Sequence, residues 1–172
     1  MTPRAFVDGS KSEVSESHPE WHALLVRSRR WLIVTYLLMS AFPPLLPYAF
    51  EASEISSALE TPLTGTWMVV RVMFVAVLWR TTFWQGHRVF LIAAGLAGTL
   101  GFGLALGAAF LPGVPLPWMV TGFVLFGLGS GASYHAALAY GMVVGEAEVD
   151  AGGTFEALIG LGYAGGPAAG LL

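Results

Sequence analysis

The chain has 172 residues, of which 55% are hydrophobic and only 11% charged, with mean hydropathy +0.68 and a formal net charge of −3. Soluble domains carry roughly 25% charged residues, so this composition excludes an ordinary soluble enzyme and makes lipid the covering phase. Cysteine is absent, which removes disulfide frameworks, thiolate metal sites and thiol redox motifs, and no basic stripe with interleaved aromatics suits a nucleic acid.

Residues 1–17 form a polar tail with Lys11, Glu13 and Glu16, expected to be disordered. They are too polar and acidic for a cleavable signal peptide, so the first apolar run reads as a signal-anchor. Ser17, His18, Pro19 and Glu20 fit a helix-capping box. Trp21, Leu24, Leu25 and Arg27 to Arg30 follow as a lead-in, either an amphipathic surface segment or the first turns of helix one; the second reading is preferred. The chain thus divides into a cytoplasmic tail and lead-in, 1–25, and a transmembrane domain, 26–172.

Five apolar runs follow, at 31–50, 66–84, 89–111, 117–145 and 154–172. About 20 helical residues cross the hydrocarbon core. Backbone groups in lipid need internal partners, which leaves helices or a closed barrel. Barrel strands alternate apolar and polar residues, whereas 120–126, VTGFVLF, does not. The expectation is an all-α polytopic membrane bundle of about five transmembrane helices. Run one carries Phe42, Pro43, Pro44 and then Pro47, so its outer third is either bent and unwound or already past the helix end near Phe42.

Arginine sets the orientation. Arg27, Arg29 and Arg30 precede run one, and Arg80 and Arg88 lie between runs two and three. The connections 51–63 and 112–116 contain no Lys or Arg, and the first holds Glu51, Glu54 and Glu60. The positive-inside rule then places the N-terminus in the cytoplasm.

Small residues recur at every fourth position: Gly95, Thr99, Gly103 and Gly107; Gly127 and Gly131; Gly141 and Gly145; Gly162, Gly166 and Gly170. Such stripes let helix backbones approach closely in lipid, so Gly103, Gly107, Gly127, Gly131, Gly162 and Gly166 are expected packing positions. A phosphate loop at 127–131 fails for want of a preceding strand and a following Lys.

Ionisable residues within spans are costly and mark function by default. Arg71 in run two is a candidate for binding an anionic group in a cavity, with a structural ion pair as the alternative. Tyr134 and His135 lie mid-run four, and His135 suits proton coupling, although a hydrogen-bonded structural histidine is the commoner case. Tyr140 and Tyr163 are expected to line a cavity or anchor an interface. Arg80, Arg88, Glu146 and Glu156 gather near the inner surface, either as a gating latch or as ordinary interfacial pairs. No nucleophile elbow surrounds Ser130, Ser133 and His135, and His18, His22, His87 and His135 lack metal-ligand spacing. The expectation is therefore no enzyme, no metal and no cofactor.

Residues 127–134, GLGSGASY, with Glu146 and 155–170, FEALIGLGYAGGPAAG, resemble the tenth and eleventh helices of major facilitator superfamily (MFS) transporters, in a bacterial branch. The proline-bearing first run, the acidic connection, Trp79-Arg80 and Gly86-His87-Arg88 are similar to the seventh and eighth helices. The resemblance covers 26–172. It implies a transporter component working by alternating access in a bacterial inner membrane, with runs one and four lining a cavity that holds Tyr134 and His135. It also implies a cytoplasmic lock formed by Arg80, Arg88 and Glu146, though the full loop motif is absent. Glu156 stands where this branch has a Glu opening the eleventh helix. A family half has six helices and binds a solute between two halves. Five runs imply a partner half or a homo-oligomer, with a non-transporting subunit, an assembly factor or an inactive truncated product as alternatives. The fold does not specify the small-molecule solute.

Overall fold

Helix α1 runs unbroken from Pro19–Ala52, 34 residues, and so extends well past the bilayer core at one end. In the computed structural model, which describes residues 19–144 and 149–170, the lead-in is simply the first turns of this helix. The boundary drawn at 25/26 falls inside it, and the capping hydroxyl of Ser17 lies outside the described residues. The prolines do not end the helix near Phe42. It continues for ten more residues because Phe42 is fully buried, with ring centroids 4.7 Å from Phe126, 5.2 Å from Phe102 and 5.6 Å from Phe123. That packing holds the segment although Pro43, Pro44 and Pro47 deprive the carbonyls of Met39, Ser40 and Pro43 of their usual donors. The end is a Schellman turn: Ile55 N–H bonds Phe50 O at 3.0 Å, and Glu54 N–H bonds Glu51 O at 3.1 Å with Glu54 at φ 52°.

Helix α2, Ser57–Arg80, begins nine residues before run two and stops four residues short of its expected end. Hydropathy extends the run to Trp84, but that indole folds back and caps the helix. Its Nε1–H donates to Leu78 O at 3.1 Å and Thr81 O at 3.0 Å. A turn with Gly86 at φ 75° leads to α3, Arg88–Leu106. This helix ends at Gly107, and Ala108–Phe110 follow as a 3-10 turn instead of completing run three. Helix α4 is Pro115–Val144 and α5 is Val149–Gly170. The described residues are all helix and connection, without a strand.

Four of these helices are long and apolar enough to cross a membrane: α1 from Glu20, α2, α3 and α4. Helix α5, 22 residues with several glycines and Glu156, lies along α1. Helix α4 is the centre of the bundle and packs on α3, α2 and α1. By contrast the backbones of α1 and α2, although joined by a short turn, seldom approach closely along their lengths. That gap positions the site.

The glycines at the α3–α4 crossing are not the expected ones. Ala94, Gly98, Gly101 and Ala105 face Gly122, Phe126 and Gly129. A Cβ on Gly129 would stand 2.5 Å from Ala94 O and 2.6 Å from Gly98 Cα, and one on Gly101 would stand 2.7 Å from Gly122 O. The spacing alternates four and three, the seam of left-handed packing, rather than repeating every four. Gly103 meets nothing within 4 Å; Gly107 serves as the helix end and touches only Gly103 of its own helix. Gly141 likewise faces open space, and Thr99 bonds Gly95 O in its own helix at 2.8 Å. Gly127, Gly131, Gly162 and Gly166 do sit at helix contacts: the first two against Trp67, Val70 and Arg71 of α2, the last two against Tyr36, Leu37 and Ser40 of α1. Gly145 lies outside the described residues.

The arginine-rich end is closed by a second cluster. Leu24, Leu25, Leu78, Trp84, Leu91 and Tyr140 are buried together. Trp21 and Trp84 each set their ring centroid 5.8 Å from Tyr140, whose hydroxyl accepts the Gly86 N–H at 3.0 Å. Tyr140 is thus a packing residue at 1% exposure.

Candidate functional site

A cleft of 720 Å³ opens between α1 and α2, with α4 and α5 supplying Tyr134 and Tyr163 at its sides. Small-molecule sites typically run about 300–1,000 Å³. A further hollow of 450 Å³ shares Pro43 and Met68 with it and continues toward Glu60 and Thr61 at the acidic end of the bundle. The two hollows together trace a path from the end of α2 to its middle.

Arg71 stands in that cleft. It is 14 residues from Ser57 and nine from Arg80, near mid-helix and deeper than run two implies, because α2 begins earlier. Its backbone is pressed against Gly131, where a Cβ would meet Arg71 O at 3.0 Å. Close approach of α4 on that face leaves the side chain to leave sideways, toward α1. Nη1 donates to Met39 Sδ at 2.9 Å and Nη2 to the Tyr36 hydroxyl at 3.1 Å. Cζ lies 5.6 Å from the Tyr36 ring centroid and 5.3 Å from that of Tyr134, so two aromatic rings attract the cation.

No carboxylate among the described residues answers this charge. Among the described residues the one ion pair is Arg88 with Glu20, 3.4 Å apart at the surface. A guanidinium has five N–H donors and keeps its proton in proteins. Arg71 uses two, one of them on a weakly accepting thioether. Three donors are therefore left without a partner among the described residues, on a side chain that lines the cleft.

The surrounding shell is fixed by aromatic and small-residue contacts. Tyr36 and Tyr163 meet edge-on at 5.3 Å, and Tyr134 meets Phe155 at 5.6 Å. The Ser40 hydroxyl stands 3.1 Å from both Leu37 O and Gly162 O, linking α1 to α5. Trp67 forms a wall, 5.3 Å from Phe126, and its buried indole N–H has no acceptor.

The structure gathers Arg71, Tyr134 and Tyr163 but leaves His135 apart. His135 is one residue beyond Tyr134, roughly 100° around the helix, and its ring meets Trp84 edge-on at 5.1 Å in the arginine-end cluster. It does not line the cleft. Of the expected cytoplasmic cluster, three members are described. Arg88 opens α3 beside the start of α1 and pairs with Glu20. Arg80 and Glu156 are exposed without an ion pair among the described residues, and Glu146 lies outside them. Tyr36, Met39, Ser40 and Trp67 escaped the sequence reading. The first three lie within an apolar run that shows no charge, and Trp67 passes for a packing residue. Pro43 and Pro44, four residues after Met39 and Ser40, were the available signal.

Comparisons with family models, curated proteins and solved structures returned no match. Helices and site together define an α-helical membrane protein with a largely apolar cleft between two spans that holds one arginine. Anything narrower rests on the residues themselves.

Proposed function

We propose that this chain is a component of a secondary transporter, resembling part of the C-terminal half of an MFS protein, that passes a small solute through the α1–α2 cleft by alternating access. It acts with a second half or a second copy, in a bacterial cytoplasmic membrane with the arginine-bearing end inside. The carrying observation is a cleft that reaches the middle of a span and ends on Arg71, a charge without a carboxylate partner among the described residues. Such a charge is expensive in lipid and is kept where a pathway needs it. The cleft separates two helices whose backbones rarely approach closely and which are bridged through side chains such as Arg71, which suits rocking of one against the other.

The test is counterflow in proteoliposomes made from the purified full chain. Vesicles loaded with a metabolite extract are given radiolabelled organic acids, sugars and amino acids in turn. The proposal expects saturable exchange of at least one class. Folded, inserted protein that exchanges none of them would instead favour a non-transporting subunit that keeps the fold for packing.

A further inference from the structure

The chemistry of the cleft narrows the solute class, an inference that rests on reading the cleft as a solute site. The geometry points to a small organic monoanion, with one carboxylate or equivalent planar oxyanion on Arg71 and an apolar, preferably aromatic, body against α1 and α2. The cleft offers one formal charge and no second cation among its lining residues, so it matches one negative charge. The free donors of Arg71 form a planar fork suited to two oxygens of one oxyanion. Tyr36 and Met39 already hold the guanidinium in place, so it meets the ligand with little reordering. Beyond the guanidinium the walls are Pro43, Trp67, Met68, Val72 and Val75, which offer apolar surface and an indole face. A strongly hydrated inorganic anion gains nothing there, and a dianion leaves one charge buried without a partner.

Binding of radiolabelled benzoate to the full chain in a neutral detergent tests this. Saturable binding is expected, displaced by unlabelled benzoate and hexanoate and at least tenfold less well by benzamide, hexanamide, succinate and nitrate. Arg71→Gln should weaken it at least tenfold, and Arg71→Lys should retain part of it because the charge remains. The acid–amide comparison needs no variant, so a misfolded Arg71→Gln does not blunt the test. Absence of saturable binding, equal competition by benzamide, stronger competition by succinate or nitrate, or unchanged affinity in folded Arg71→Gln would each overturn the inference. Benzoate binding without exchange across vesicles would sink the transport reading and leave this one standing. Exchange of an uncharged solute that survives Arg71→Gln would do the reverse.

Discussion

Gly129→Ala is expected to destabilise the folded bundle by roughly 3 kcal/mol, the upper part of the range for overpacking, although it adds a single methyl group. The new Cβ would stand 2.5 Å from Ala94 O and 2.6 Å from Gly98 Cα. Those atoms are backbone, and no rotamer change can move them aside. The two helices must separate along the whole seam that Gly98, Gly101 and Gly122 bring together, and close packing is what holds helices together where lipid removes the hydrophobic drive. The internal control is Gly103→Ala on the same α3 helix. Its Cβ meets nothing within 4 Å, so only the helix propensity changes, in favour of the variant by up to about 1 kcal/mol. Unfolding in mixed micelles by added dodecyl sulfate, followed by circular dichroism, measures both. The two substitutions are chemically identical and should have opposite signs. Equal effects would mean that the seam runs every four residues and not along Gly98, Gly101 and Gly129.

Arg71→Ala is expected to reduce solute exchange by roughly 100-fold, since charge-assisted hydrogen bonds are worth about 1.5–3 kcal/mol each and every 1.4 kcal/mol is tenfold. Expression and insertion should survive. The substitution forfeits the contacts to Tyr36 and Met39 but also removes a cation from the middle of a span, which costs about 2.5–3.5 kcal/mol on insertion scales. His135→Ala is the informative contrast. Its ring packs on Trp84 outside the cleft, so exchange should remain within a few-fold of the parent protein. Loss of exchange in both variants, with folded protein present, would place the pathway elsewhere. Loss of the folded protein in Arg71→Ala would make Arg71 a structural tie.

The sequence carried the architecture further than the site. Long apolar runs identify spans because the bilayer fixes their length, and each of the five runs overlaps one helix over most of its described residues. Their ends were harder to place, since hydropathy does not register what a residue does locally. Trp84 reads as span and acts as a cap. Pro43 and Pro44 read as breakers and are carried by the burial of Phe42. Gly103 and Gly98 are indistinguishable by composition, and only the partner helix decides which one packs. Arg71 stood out because a charge in an apolar run has no ordinary explanation. Its companions Tyr36 and Met39 did not, because they become site residues only when α1 and α2 are placed face to face. Neighbouring Tyr134 and His135 invited a joint role, yet successive helical residues point about 100° apart, and only Tyr134 reaches the cation.

The central claim is that water, not lipid, fills the cleft down to Arg71. The absence of cysteine makes this directly measurable with single substitutions and a membrane-impermeant thiol reagent, which needs a hydrated thiolate. Met68→Cys and Val72→Cys place the thiol on the cleft wall, whereas Leu100→Cys places it on the exposed outer face of α3. Ser56→Cys and Gln85→Cys report the two ends, and the proposed orientation makes Ser56→Cys reactive in intact cells and Gln85→Cys only after permeabilisation. The account predicts rapid modification at positions 68 and 72 and protection at 100. Protection at 68 and 72 equal to that at 100 would contradict it.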